Sequence, residues 1–219
     1  MPGVFDPSFE ALPQELPIFP LTGVLLLPRG RLPLNIFEPR YLNMINEALR
    51  TSRMIGMIQP KGPNTGDQPE VYRTGCAGRI ISFSETEDGR YLITLSGLAR
   101  FDIAEEMPLR EGFRTVRPDW APYRGDLTED GSAGIDRERM MRSLRGYFDA
   151  NKVDANWDAI EDTPTDRLVN ALAMMCPFQP SEKQALLEAP TLPDRANVMI
   201  ALLEMSLAAN DDSAPHHRN

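Results

Sequence analysis

Few side chains in this 219-residue chain are of types that do chemistry, and their spacing argues against most reactions. The only histidines are His216 and His217, at the carboxyl end, so the commonest general base and most metal sites are missing from everything upstream. A histidine pair in a polar tail binds metal only adventitiously. Cys76 and Cys176 stand a hundred residues apart, a spacing that suits neither a metal ligand set nor a redox pair. Cys76 lies in an apolar strand between glycines with no base to activate it, and reads as a small core residue. Glu105-Glu106 falls on a strand, where neighbours point to opposite faces, and Glu161-Asp162 falls at a helix boundary, so both pairs read as solvated surface. Neither Gly-x-x-x-x-Gly-Lys-Ser/Thr nor Gly-x-Ser-x-Gly occurs.

The most motif-like group is Phe37, Glu38, Arg40 and Tyr41, the candidate binding residues. At a helix start, free amides and the helix dipole favour an anionic ligand. The same residues also serve structure, with Glu38 as a cap, Arg40 in an internal ion pair and Tyr41 packed on the core, and this is the preferred reading. Arg137, Arg139, Arg142 and Arg145 could meet an acidic partner, but their acidic neighbours favour a solvated helix face.

These residues must be positioned by the stretch from Leu16 to Tyr41. Five prolines in 26 residues exclude a continuous helix, and the apolar runs between them are too short for a membrane span. Leu16–Leu21, Gly23–Pro28 and Leu32–Phe37 read as three short strands. Pro39 opens a helix on which Tyr41, Leu42, Ile45 and Leu49 recur, ending near residue 51. Met54–Gln59 reads as a strand, Pro60–Pro69 as a loop that is either a binding loop or simply a floppy one, and Tyr72–Phe83 as a strand. Gly89 supplies the positive φ of a hairpin turn, and Gly97 marks a bulge that curls the sheet. Before them, residues 1–13 leave an aromatic-anchored arm and a disordered segment equally open.

From residue 135 the period is helical. Asp136 caps a helix through Asn151 with Met141, Leu144, Tyr147 and Phe148 inward, and Glu138 pairs with Arg142. A helix from Thr163 turns Leu168, Leu172 and Met175 inward until Pro177. Ser181 caps a short helix, and Thr191 or Asp194 opens the last, with Ala196, Ile200, Leu203 and Leu207 on one face. The expected fold class is α+β: a small β barrel over residues 1–119, a linker 120–134, a helical bundle 135–209 and a disordered tail 210–219.

The opening stretch resembles the amino-terminal, substrate-binding domain of Lon proteases. Gly56-Met57-Ile58, Gly75–Ile80, Asp88–Tyr91 and Gly97–Phe101 continue the resemblance, and Lys183–Glu188 with Arg195 is similar to that family's later helices. The resemblance implies a PUA-like barrel and recognition of unfolded or client proteins in quality control. No ATPase or peptidase segment fits the chain, so it implies a stand-alone, non-catalytic member.

Net charge is −9, with 13 basic and 15 acidic side chains in residues 1–119 and 10 and 17 thereafter. Nucleic acid is therefore disfavoured as a partner. With no signal peptide and no apolar run of membrane length, a cytoplasmic protein without cofactors is expected. The leading expectation is a protein-binding module, for which eleven methionines offer adaptable apolar surface. The alternative is a PUA-like module for a small ligand or RNA, and a third reading is an enzyme of unfamiliar type.

Overall fold

Leu16–Pro20 (β1) is buried at all five positions, as expected of a short apolar run flanked by strands on both sides. The computed structural model describes residues 7–62, 68–128 and 133–213, with side chains through 208. Within it β1 pairs in parallel with Met54–Ile58 (β3) and antiparallel with Arg114–Asp119 (β6). Arg31–Ile36 (β2), Thr74–Glu85 (β4) and Tyr91–Glu106 (β5) complete a sheet ordered β2-β5-β4-β3-β1-β6, and a β5–β6 pairing closes it.

The 16-residue β5 makes closure possible. Its first half pairs with β2 and β4, its far end with β6. Between the halves Ala77 faces Ala99 while Gly78 faces Gly97, so Leu98 is an extra residue that bends the strand. Gly97 is required there because a Cβ would lie 2.0 Å from the Leu27 carbonyl oxygen.

That contact exposes one difference from expectation. Gly23–Pro28 is not a strand but a loop, with Leu25, Leu26 and Leu27 buried. Its backbone is satisfied from elsewhere: Lys183 Nζ donates to the Gly23 carbonyl, Asn170 Nδ2 to that of Pro28, and the Arg29 N–H to that of Gly97. With its polar groups met by distant partners, the leucine run needs no ladder and fills the core.

Pro39–Arg50 (α1) buries Tyr41, Met44, Ile45 and Ala48. The carboxyl half holds Arg137–Ala150 (α2), Trp157–Asp162 (α3), Thr165–Met175 (α4), Pro180–Glu188 (α5) and Leu192–Ser213 (α6). Asp136 caps α2 by accepting from the Arg139 N–H at 2.9 Å. At α6 the Thr191 hydroxyl accepts from the Asp194 N–H, and the Asp194 carboxylate accepts from the Thr191 N–H, both at 3.2 Å. The short α5 begins earlier than Ser181, at Pro180, with Glu182 reaching back to the Gln179 N–H at 2.7 Å.

Two helix stripes also differ from expectation. On α2 Met140 is buried and Met141 and Phe148 only partly so; on α4 Val169 and Ala173 turn inward while Met175 is 80% exposed. Leu144 and Tyr147 on α2 and Leu168 and Leu172 on α4 are buried as expected, so the differences lie at the margins of the stripes, which a mixed apolar face does not resolve locally. One apolar cluster runs from Leu25, Leu27 and Ile93 of the barrel to Met140, Leu172 and Leu203 of the helices. The segment expected as a linker carries a 3-10 helix, Ala121–Leu127, just after Trp120, whose ring stacks edgewise on Phe101 at 5.7 Å. Residues 1–6, the loop tip 63–67, positions 129–132 and the tail 214–219 with its two histidines lie outside the described residues.

Candidate functional site

Of the candidate residues, Glu38, Arg40 and Tyr41 turn toward one another. Glu38 precedes α1 without a side-chain cap bond and instead accepts from Arg40 Nε at 3.0 Å and Nη2 at 2.9 Å. The Arg40 guanidinium lies 4.7 Å over the Tyr41 ring, which packs on Phe19 at 4.3 Å. Burial raises the Tyr41 pKa, partly offset by Arg40. Phe37, by contrast, is 63% exposed.

The register around Phe37 gathers further apolar side chains that sequence reasoning missed. Ile36 faces Tyr91, so Phe37 leaves β2 at the same end as the β4–β5 turn, where Gly89 has φ +81°. Phe83 is exposed and meets the Tyr91 ring at 5.0 Å, while Tyr91 Oη donates to Asn46 of α1. Leu92, opposite Asn35 and Ser84, lies exposed on the other face of the hairpin. Beside them runs the edge of β2, which pairs only with β5 among the described strands. Pro33 removes a donor midway along it, which discourages pairing with another sheet. A signal for Leu92 is in the sequence, where Tyr91, Ile93 and Leu95 alternate with Leu92, Thr94 and Ser96 and so leave Leu92 on the wetter face. Only the register shows that Phe83 and Leu92 lie on opposite faces of the hairpin, at the end where Phe37 leaves β2.

Several polar groups elsewhere are paired for structure. Glu106 takes both Nε and Nη2 of Arg114, Glu105 takes Arg117, and Arg139 of α2 pairs with Glu204 and Arg145 with Glu161. Arg137 donates to Thr165 Oγ1 and the Glu161 carbonyl, and Arg142 lies 3.9 Å from Glu138. Burial drives the Cys76 thiol far above its ordinary pKa, and the Cys176 thiol up to about 11, so neither is a ready thiolate. Among the described residues no group of three His, Cys, Asp or Glu is placed to hold a metal, and no helix is long and apolar enough to cross a membrane. A wide cleft of about 550 Å³ between Lys61, Glu70, Arg73, Glu106 and Arg114 has its cations paired with Glu70, Asp102 and Glu106.

A family model of the ATP-dependent protease La (Lon) substrate-binding domain matches residues 15–205. The chain belongs to this family. Its Lon relatives include Lon protease 2 of Myxococcus xanthus, 26% identical over 208 residues and 89% of this chain, and Lon protease of Parabacteroides distasonis, 26% identical over 204 residues and 91% of this chain. The chain spans about a quarter of the length of these relatives, 24% and 25% respectively. Among solved structures, a Lon N-terminal domain protein from Xanthomonas campestris has the same fold, with TM-score 0.61 at 21% identity, 85% of this chain and 97% of that one covered. The N-terminal domain of a Mycobacterium avium complex Lon protease follows with TM-score 0.55 at 16% identity, covering 87% and 98%. The α+β architecture expected from the sequence is thus that of Lon N-terminal domains.

Proposed function

We propose that this Lon-type substrate-binding domain is a non-catalytic recognition module that holds unfolded client segments on the hairpin end of its barrel. The observation that carries the reading is the exposure of Phe37, Phe83 and Leu92 over the two faces of that end, at 63%, 38% and 46%. Several large apolar side chains left exposed at one end of a domain mark a contact site. Extended client chains expose alternating apolar side chains, and the two faces of the hairpin offer apolar contact to them. In this reading residues 1–119 supply the binding barrel, 120–134 the connection and 135–209 a bundle that braces it. Glu38, Arg40 and Tyr41 hold the start of α1 and so set where Phe37 emerges.

The test is titration of the full chain into a fluorescently labelled, permanently unfolded protein, read by anisotropy at low and high salt. Salt-resistant binding that is weakened in the F37S/F83S/L92S variant is expected. Absence of binding, or binding that salt abolishes, overturns the reading.

A further inference from the structure

In a chain of net charge −9, three arginines converge on one cleft. Arg29, Arg31 and Arg167 line a groove of about 230 Å³ between the chain entering β2 and one side of α4 along its length. Asp166 is the only carboxylate among its described lining residues. That side chain stands in the first turn of α4, where the helix dipole already favours a negative charge.

No side-chain hydrogen bond or ion pair joins Arg31 or Arg167 to any described residue, in contrast to the paired arginines of α2. Arg29 donates from its side chain to the Thr128 carbonyl, a neutral acceptor, and forms no ion pair with a described residue. Its backbone is left-handed, with φ 65°, a conformation unfavourable for any residue with a Cβ. The adjoining Arg29 N–H bond to the Gly97 carbonyl at 2.8 Å holds it there.

The apolar side of the cleft is Met174 and Met175. Met175 is the most exposed large hydrophobic side chain among the described residues, at 80%. Methionine adapts to varied shapes through its three rotatable bonds and polarizable sulfur. Cationic and adaptable apolar surface therefore meet in one groove.

We propose that this cleft takes an extended client segment carrying an acidic side chain next to a bulky apolar one. The carboxylate is held by Arg31 and Arg167, and the apolar side chain lies on Met174 and Met175. The inference rests on the client-binding reading above and adds to it a second contact and a sequence preference. Complementary charge at an exposed groove selects among partners more than it adds affinity.

The test uses three rhodamine-labelled peptides of equal length with a Leu-Glu-Phe-Glu, Leu-Gln-Phe-Gln or Leu-Lys-Phe-Lys centre, titrated into the full chain. The Glu peptide is expected to bind about tenfold tighter than the Gln peptide, with the Lys peptide weakest. R31E/R167E should reverse the order in favour of the Lys peptide, a gain that misfolding does not produce. M175S should weaken all three. Equal binding of the Glu and Gln peptides by a chain that still binds the unfolded client overturns this inference and leaves the client reading standing. Loss of client binding as well overturns both. A labelled single-stranded oligonucleotide that binds as tightly as the Glu peptide, and is lost in R31E/R167E, also overturns it by showing a general polyanion site.

Discussion

Arg100 and Asp126 form a two-pronged ion pair in which Nε and Nη2 reach the two carboxylate oxygens at 2.8 and 2.7 Å, with only 5% and 9% of the side chains exposed. The remaining guanidinium donors go to the carbonyls of Leu187, Ala189 and Pro190. One arginine of the barrel therefore ties the 3-10 helix after β6 to the turn between α5 and α6. Burial works against its charge, and the Asp126 carboxylate more than restores it, so the Arg100 pKa lies above its ordinary value.

Removing one partner of such a pair leaves an uncompensated buried charge. Asp126→Ala is expected to destabilise the chain by about 3–5 kcal/mol in urea unfolding. A loss below about 1 kcal/mol would show that the pair behaves as an exposed one.

Gly97→Ala places a methyl group 2.0 Å from a backbone oxygen that cannot turn aside. A loss of about 3 kcal/mol or failure to fold is expected, by overpacking against the leucine loop. Gly125→Ala, with nothing within 4 Å, is the control and should stay within about 0.5 kcal/mol.

The pH dependence on the alkaline side follows from Cys176. Burial raises its pKa from 9.0 to about 11, while Lys183 beside it pulls the other way. The folded state holds the proton more tightly than the unfolded one, so this stabilisation is complete below pH 9.0 and is lost as pH rises toward about 11. Lys183, whose own pKa is lowered by burial, contributes with the opposite sign. Chemical denaturation across this range should show a shallower alkaline decline in Cys176→Ala than in the unaltered chain. Both thiols should label with a disulfide reagent only on unfolding, and rapid labelling of the folded chain would contradict their burial.

Phe37, Phe83 and Leu92 are exposed, so F37S/F83S/L92S should keep the unfolding midpoint nearly unchanged while weakening client binding about tenfold. A large fall in stability would assign these side chains to the core rather than to a binding surface.

Asp136→Ala removes the one side chain that caps α2 and should cost about 1 kcal/mol. That cap was legible because it is local: a capping residue and the stripe it precedes are separated by a few positions. The hairpin at Gly89 and the bulge beside Gly97 were legible for the same reason. The loop at Gly23–Pro28 was not, because the partners of its backbone and of the adjoining Arg29, namely Gly97, Asn170 and Lys183, lie 68 to 160 positions away.

The linear pattern of prolines, glycines, caps and apolar periods determined that this chain would form a strand-rich first half with one early helix and a helical second half. It also determined that no histidine-based chemistry operates upstream of residue 216. Tertiary structure alone decided that the leucine run would plug the barrel, that Met175 would face solvent, and that Arg29, Arg31 and Arg167 would share one cleft. Periodicity reports which residues can share a face, whereas burial and charge juxtaposition depend on which distant element covers that face.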